Sequence, residues 1–163
     1  MQAEDQAEPD ADGLPVDLGI LGGMLSWYFR VIELHLSRDL NEHLENFDIV
    51  RGKGKIPVLL LIAQHPGIRA SVIADVTMLN RSVIARILDG FQQAGLVRRE
   101  MSFVDNRALD LTLTDAGIAM AARIREIITR QSAAFFSFLP PQDHDRLLDI
   151  LRRTYVHLHE TRP

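Results

Sequence analysis

The chain contains no cysteine. That absence excludes disulfides, thiolate-ligated zinc and thiol redox sensing. Nor is there a run of the ~18 uninterrupted apolar residues that a membrane-spanning helix needs. The first segment, "MQAEDQAEPDADG", lacks the basic and apolar stretches of a signal peptide, so the reading is a cytoplasmic protein with no membrane partner. The six histidines form no ligand array, and the close pair His157 and His159 would point to different sides of a helix. No metal or cofactor is expected. Catalytic signatures are missing as well: no Ser-His-Asp arrangement, no GxGxxG and no recognisable pair of catalytic carboxylates. The expectation is a protein that is not an enzyme.

Acidic residues are abundant overall but scarce in the middle of the chain. Residues 1–13 hold five acids (Glu4, Asp5, Glu8, Asp10, Asp12) and no base, which more than accounts for the formal net charge of −4. Without them 18 bases face 17 acids. From Arg51 to Arg107 nine bases meet four acids, a local excess of +5. A locally basic stretch is the footprint that a polyanionic partner requires. The first 13 residues, acidic and poor in large apolar groups, read as a disordered tail.

What the sequence does have is helical periodicity. Leu18, Leu21, Leu25, Tyr28, Ile32 and His35, continued by Leu36, Leu40 and Leu44, predict one long helix over about residues 17–45. Its apolar surface, which includes Trp27 and Phe29, is broader than one core stripe needs and suggests a second packing partner. "IPVLLLIAQ" predicts another helix with Pro57 in its first turn, stopped by "HPG". Residues 70–77 predict a short helix. "LNRSVIARILDGFQQAG" predicts the next, with Asn80 as N-cap and Gly95 just past its end. In that helix Val83, Ile84, Ile87, Leu88 and Phe91 share a face to be buried, while Arg81, Ser82, Ala85, Arg86 and Asp89 lie opposite. "LVRREMSF" and "RALDLTL" predict two strands around an Asp105-Asn106-Arg107 turn. Thr114 should cap a long helix to about Phe138, and a last helix runs from about Gln142 to His159.

A short helix pair followed by a hairpin is a winged helix. The expected fold is mainly α with a small β-hairpin: a disordered acidic tail at 1–13, an N-terminal dimerisation helix at 14–50, a winged helix-turn-helix DNA-binding domain at 51–115, and C-terminal dimerisation helices at 116–163. The apolar residues of the terminal segments, with Phe135, Phe136, Phe138, Leu147, Leu148, Leu151, Tyr155 and Leu158, exceed what one small lobe can bury. The stretch from "HPG" to "LTDAG" resembles the MarR family of winged-helix transcriptional regulators. The matching features are Pro66-Gly67 before the helix pair, Ile73-Ala74 inside its first helix, and Arg81-Ser82 opening the recognition helix. "GLV" leaves that helix, Asp105-x-Arg107 sits in the wing, and "LTDAG" enters the fifth helix. The resemblance covers about residues 17–160. It implies a homodimer whose first, fifth and sixth helices interlock, bound to a pseudo-palindromic operator in double-stranded DNA. The expected function is a sequence-specific regulator, a repressor released by a small anionic or aromatic ligand. The alternative is a winged-helix protein-interaction module without direct DNA binding. Several positions depart from the family pattern. Arg69 stands where Thr or Ser often caps, Met78 where a turn glycine is common, and Val83 and Ala85 where hydroxyl side chains are frequent.

The candidate DNA contacts follow. Arg86, on the exposed face, suits a base edge or a phosphate. Arg81 and Ser82 sit at a helix N-terminus, where free N–H groups favour phosphate. Val83 or Ala85 would press a thymine methyl, with plain core as the other reading of Val83. Of Arg98 and Arg99, which alternate faces, Arg99 is the candidate. The resemblance places Arg107 in the minor groove, oriented by Asp105; a narrow A·T-rich groove attracts an inserted guanidinium. Stapling of the turn is the alternative. "RGKGK", with Arg51, Lys53 and Lys55, lacks the first glycine and the hydroxyl of a nucleotide-hydrolysing loop. It has three readings: a DNA phosphate contact, a site for an anionic effector such as an aromatic acid or acyl-CoA, or a solvated turn. Trp27, Tyr28, Arg30 and His35 could line an effector pocket, against a core or interface role.

Overall fold

The computed structural model describes residues 16–101 and 109–161. They belong to two compact units, one ending at Arg38 and one beginning at Asp39. A 3-10 turn, Gly19–Gly23, precedes helix α1, Leu25–His43. The single helix expected from residue 17 is therefore interrupted at Met24, whose backbone is extended. Gly22 and Gly23 explain the break, since each glycine costs a helix about 1 kcal/mol relative to alanine. The Tyr28 hydroxyl donates to the Gly22 carbonyl at 3.1 Å across the interruption.

The remaining elements are α2 (Lys55–Gln64), α3 (Ala70–Thr77), α4 (Arg81–Gln93), β1 (Val97–Met101), β2 (Leu109–Leu113), α5 (Asp115–Phe135) and α6 (Pro141–Glu160). Six α-helices with one antiparallel hairpin form the winged helix-turn-helix fold that the sequence predicts. None of the described helices is long and apolar enough to cross a membrane.

Periodicity dictates the core. Val58, Leu59 and Ile62 of α2, Ile73 and Ala74 of α3, and Ile84, Ile87, Leu88 and Phe91 of α4 are all buried. Leu111 of β2 and Ala121 and Ile124 of α5 join the same cluster, with Leu44, Val50, Leu96 and Val97. Burying each large aliphatic side chain contributes roughly 1.5–3 kcal/mol, so α4 is fixed mainly by one face, leaving the other to solvent.

Two backbone details fix the hairpin. Val97 pairs with Leu113, Arg99 with Leu111 and Met101 with Leu109. The α2–α3 linker joins β2 as well: Gly67 N–H donates to the Leu111 carbonyl at 2.8 Å, and Leu111 N–H to the Ile68 carbonyl at 3.2 Å. At the start of α5, Thr114 accepts from Gly117 N–H at 3.1 Å and donates its hydroxyl to the Gly95 carbonyl at 2.6 Å. A Cβ at Gly117 would lie 2.0 Å from the Leu96 carbonyl oxygen. Only a glycine lets α5 start this close to the strand entry.

The end of α1 and α5 share a polar contact. Gln131, only 4% exposed, donates Nε2–H to Asp39 Oδ2 at 2.6 Å, which satisfies the buried amide.

Candidate nucleic-acid interface

The two faces of α4 differ as the spacing predicts. Ile84, Ile87, Leu88 and Phe91 are buried, while Arg81, Ser82, Ala85, Arg86 and Asp89 are exposed. Val83 is half-buried and packs against the core, which favours the core reading of that residue. Asn80 occupies the N-cap position, yet its side chain makes no capping hydrogen bond. Its carbonyl accepts from Val83 and Ile84 N–H at 2.9 and 3.1 Å. The N–H groups of Arg81 and Ser82, at the first two helical positions, consequently lack intrahelical acceptors and carry the positive end of the dipole.

Arg99 takes a different place from its neighbour Arg98, which is exposed. It is half-buried, and its Nη2 lies 2.5 Å from Asp89 Oδ1. The pair ties β1 to the exposed side of α4. The helical spacing places Asp89 on this face without revealing a partner; the ten-residue separation hides a pair made only when the strand folds back. Arg81 and Arg99 flank a cleft of about 280 Å³ between α3, α4 and the hairpin, floored by Ile84, Leu88 and Leu111. Arg107 and Asp105, the wing candidates, lie outside the described residues, as does the acidic tail at 1–13.

The helix pair itself shows what two of the sequence departures mean. Arg69 is the N-cap residue of α3 and makes no side-chain cap hydrogen bond. Met78 ends α3 with φ 57° and ψ 21°, the left-handed region that glycine adopts without cost. Among the described residues it is the one non-glycine with positive φ.

The effector candidates fall in separate places. Trp27 is half-buried, while Tyr28, Arg30 and His35 are exposed on α1. In the second unit Arg51 pairs with Asp48 at 3.1 Å, Lys53 is exposed, and Lys55 is half-buried at the start of α2. Gly52 and Gly54 take positive φ, 106° and 84°, so the loop turns as its glycines imply. None of these seven side chains lines the clefts of about 280, 430, 650 and 520 Å³ among α2–α6 and the hairpin. A cleft of about 650 Å³ lies instead among Leu60, Leu61 and Gln64 of α2, Val76 of α3, Arg125 of α5 and Tyr155 of α6. No linear motif marks it, because four helices contribute its lining.

Comparison with known proteins agrees with this geometry. A family model described as the MarR family matches residues 54–108. A protein named for transcriptional regulation of the hcr operon in Thauera aromatica is 27% identical over 143 residues, 88% of this chain and 86% of that protein. The regulator PecS of Dickeya dadantii (strain 3937) is 31% identical over 91 residues, 56% of this chain and 55% of PecS. Among solved structures, the transcriptional repressor CouR bound to a 23-mer DNA duplex superposes with a TM-score of 0.77 at 26% identity, covering 85% of this chain and 97% of CouR. With the helix pair, the recognition-helix faces and the hairpin all in place, residues 54–108 match the MarR family and the chain has the winged helix-turn-helix fold of the MarR-family transcriptional regulators it resembles.

Proposed function

We propose that the protein is a homodimeric, cytoplasmic repressor that reads a pseudo-palindromic DNA operator and is released by a small anionic or aromatic ligand. The observation that carries the DNA reading is α4: one face locked in the core, the other presenting Arg81, Ser82, Ala85 and Arg86 beside two N–H groups without intrahelical acceptors. Arg86 reads a base edge, whereas Arg81, Ser82 and the helix N-terminus hold phosphate. Ala85 offers its methyl to thymine. Arg99, neutralised by Asp89, braces the wing against α4 and reaches phosphate less readily than the sequence suggests. Arg107, oriented by Asp105, enters the minor groove. Likeness to a repressor solved on a DNA duplex supports this reading.

Support for the dimer comes from the terminal helices. Neither α1 nor α6 has a buried residue, although Phe29, Ile32 and Leu34 of α1 and Leu147, Leu148, Ile150 and Leu151 of α6 are large and apolar. A second copy covers such faces and sets two recognition helices roughly 34–36 Å apart, one DNA turn. In domain terms, 14–50 and 116–163 serve assembly and 51–115 serves DNA.

Support for the ligand comes from the 650 Å³ cleft, where Arg125 provides one cation in apolar surroundings. A Mycobacterium tuberculosis protein of the same fold, 20% identical, was solved with salicylic acid. Arg51, Lys53 and Lys55, or Trp27, Tyr28, Arg30 and His35, are the other acceptor sets for such an anion. Selection from a random duplex pool, followed by gel shift, tests the whole reading. Enrichment of a two-fold-symmetric site is expected; failure to retain any duplex would leave the protein-interaction module standing, and retention without sequence preference would overturn the operator reading.

A further inference from the structure

Helix α6 meets the helix-turn-helix at the last turn of α3. The Tyr155 hydroxyl donates to the Val76 carbonyl at 3.2 Å, and His159 Nε2 lies 3.3 Å from the Asp75 carbonyl oxygen. The two rings pack against each other at an interplanar angle of 37° with centroids 4.2 Å apart, so the contact is one unit. Carbonyls in the last turn of a helix have no donors within that helix. Here side chains from about eighty residues further along the chain reach them.

The turn that follows needs such help. Met78 connects α3 to α4 in the left-handed conformation, which disfavours any residue with a Cβ. Its side chain is 60% exposed and so gains little from packing in return. Local sequence thus resists the turn that sets the angle between α3 and α4. Tyr155 also lines the 650 Å³ cleft beside Val76 and Thr77.

We propose that Tyr155 and His159 are positioning residues for DNA recognition: by capping the end of α3 they hold the Met78 turn, and with it the orientation of α4. This rests on the reading of α4 as the recognition helix. It makes α6, which also carries an apolar face for a second copy, a physical link between assembly and DNA reading. A ligand that draws Tyr155 into the cleft removes half of the cap.

The test is a double-mutant cycle with two readouts. Operator affinity is measured for the parent, Tyr155→Phe, Met78→Gly and the double variant, with hydrogen exchange of the Met78–Asn80 amides followed in the free proteins. Tyr155→Phe removes one hydroxyl and should weaken operator binding about fivefold, the weight of one hydrogen bond, with faster exchange at the turn. Met78→Gly should bind like the parent. In that background, where the turn is no longer strained, Tyr155→Phe should cost less than about twofold. His159→Ala should add to the Tyr155→Phe loss, and His159→Gln, which keeps an N–H donor, should restore part of it. Equal losses from Tyr155→Phe in the parent and in the Met78→Gly background would show a merely structural role and overturn the proposal. So would parent-like exchange and affinity in Tyr155→Phe. Failure of the parent to bind any duplex would instead strike the DNA reading, while the exchange measurement still judges the cap.

Discussion

In the proposed complex, two arginines on α4 and one in the wing divide the tasks of positioning and reading. Arg86 is exposed in the middle of the recognition helix. If it pairs with a guanine, Arg86→Ala should cost roughly 1–3 kcal/mol at one or two operator positions and relax the preference there. Arg81 stands at the helix N-terminus, where phosphate is the expected partner. Arg81→Ala should weaken all duplexes alike and make the salt dependence shallower by about one. A titration of both variants on the selected operator and its single-base changes, at two salt concentrations, separates the two patterns. Arg107→Ala should hurt most on sites with A·T-rich flanks, and Asp105→Ala should do the same more mildly, because the arginine keeps its charge. Asp89 gives the opposite sign. Its pair with half-buried Arg99 is open to solvent on the Asp89 side and is worth about 1 kcal/mol to stability. Removing the carboxylate leaves an extra cation on the DNA-facing side. Asp89→Ala should therefore tighten non-specific binding at low salt with little change in melting temperature.

At the scale of elements, the junction between the hairpin and α5 is the least forgiving. Thr114, Gly95, Leu96 and Gly117 meet there within hydrogen-bond or van der Waals distance. Gly117→Ala drives a Cβ against the Leu96 backbone, and backbone cannot swing aside as a side chain can. The expected loss is about 3 kcal/mol, seen as a lower denaturant midpoint. Phe91→Ala empties the centre of the α4 face and should cost about 3–5 kcal/mol. Against a typical total of roughly 5–15 kcal/mol, either change approaches the limit of folding. Both should lower DNA binding only in proportion to the folded fraction, which distinguishes them from the Arg86 variant.

For the whole molecule, assembly and electrostatics decide. Sedimentation at micromolar concentration should give twice the chain mass. Leu148→Glu places a charge on the α6 face and should shift that species to a folded monomer with weakened operator binding. Parent protein that sediments as a monomer would remove the dimer. Residues 1–13 carry five acids and no base. Deleting them should tighten non-specific DNA binding at low salt if the tail competes with DNA for the basic surface, and unchanged affinity would reduce the tail to a solubilising role.

The sequence by itself determined the order of the elements, the buried face of α4, the Thr114 cap and the Gly95 terminus, because each depends on spacings of a few residues. It also marked Met78 as out of pattern, and the backbone there is left-handed as a glycine position would be. Other features belong to tertiary structure alone. The Asp89–Arg99 pair, the Asp39–Gln131 bond, the bridge from Ile68 to Leu111, and the capping of α3 by Tyr155 and His159 join residues ten to ninety-two positions apart. No local periodicity records which distant side chains the fold brings together. Short-range spacing chose the elements, and closure of the chain upon itself chose the partners.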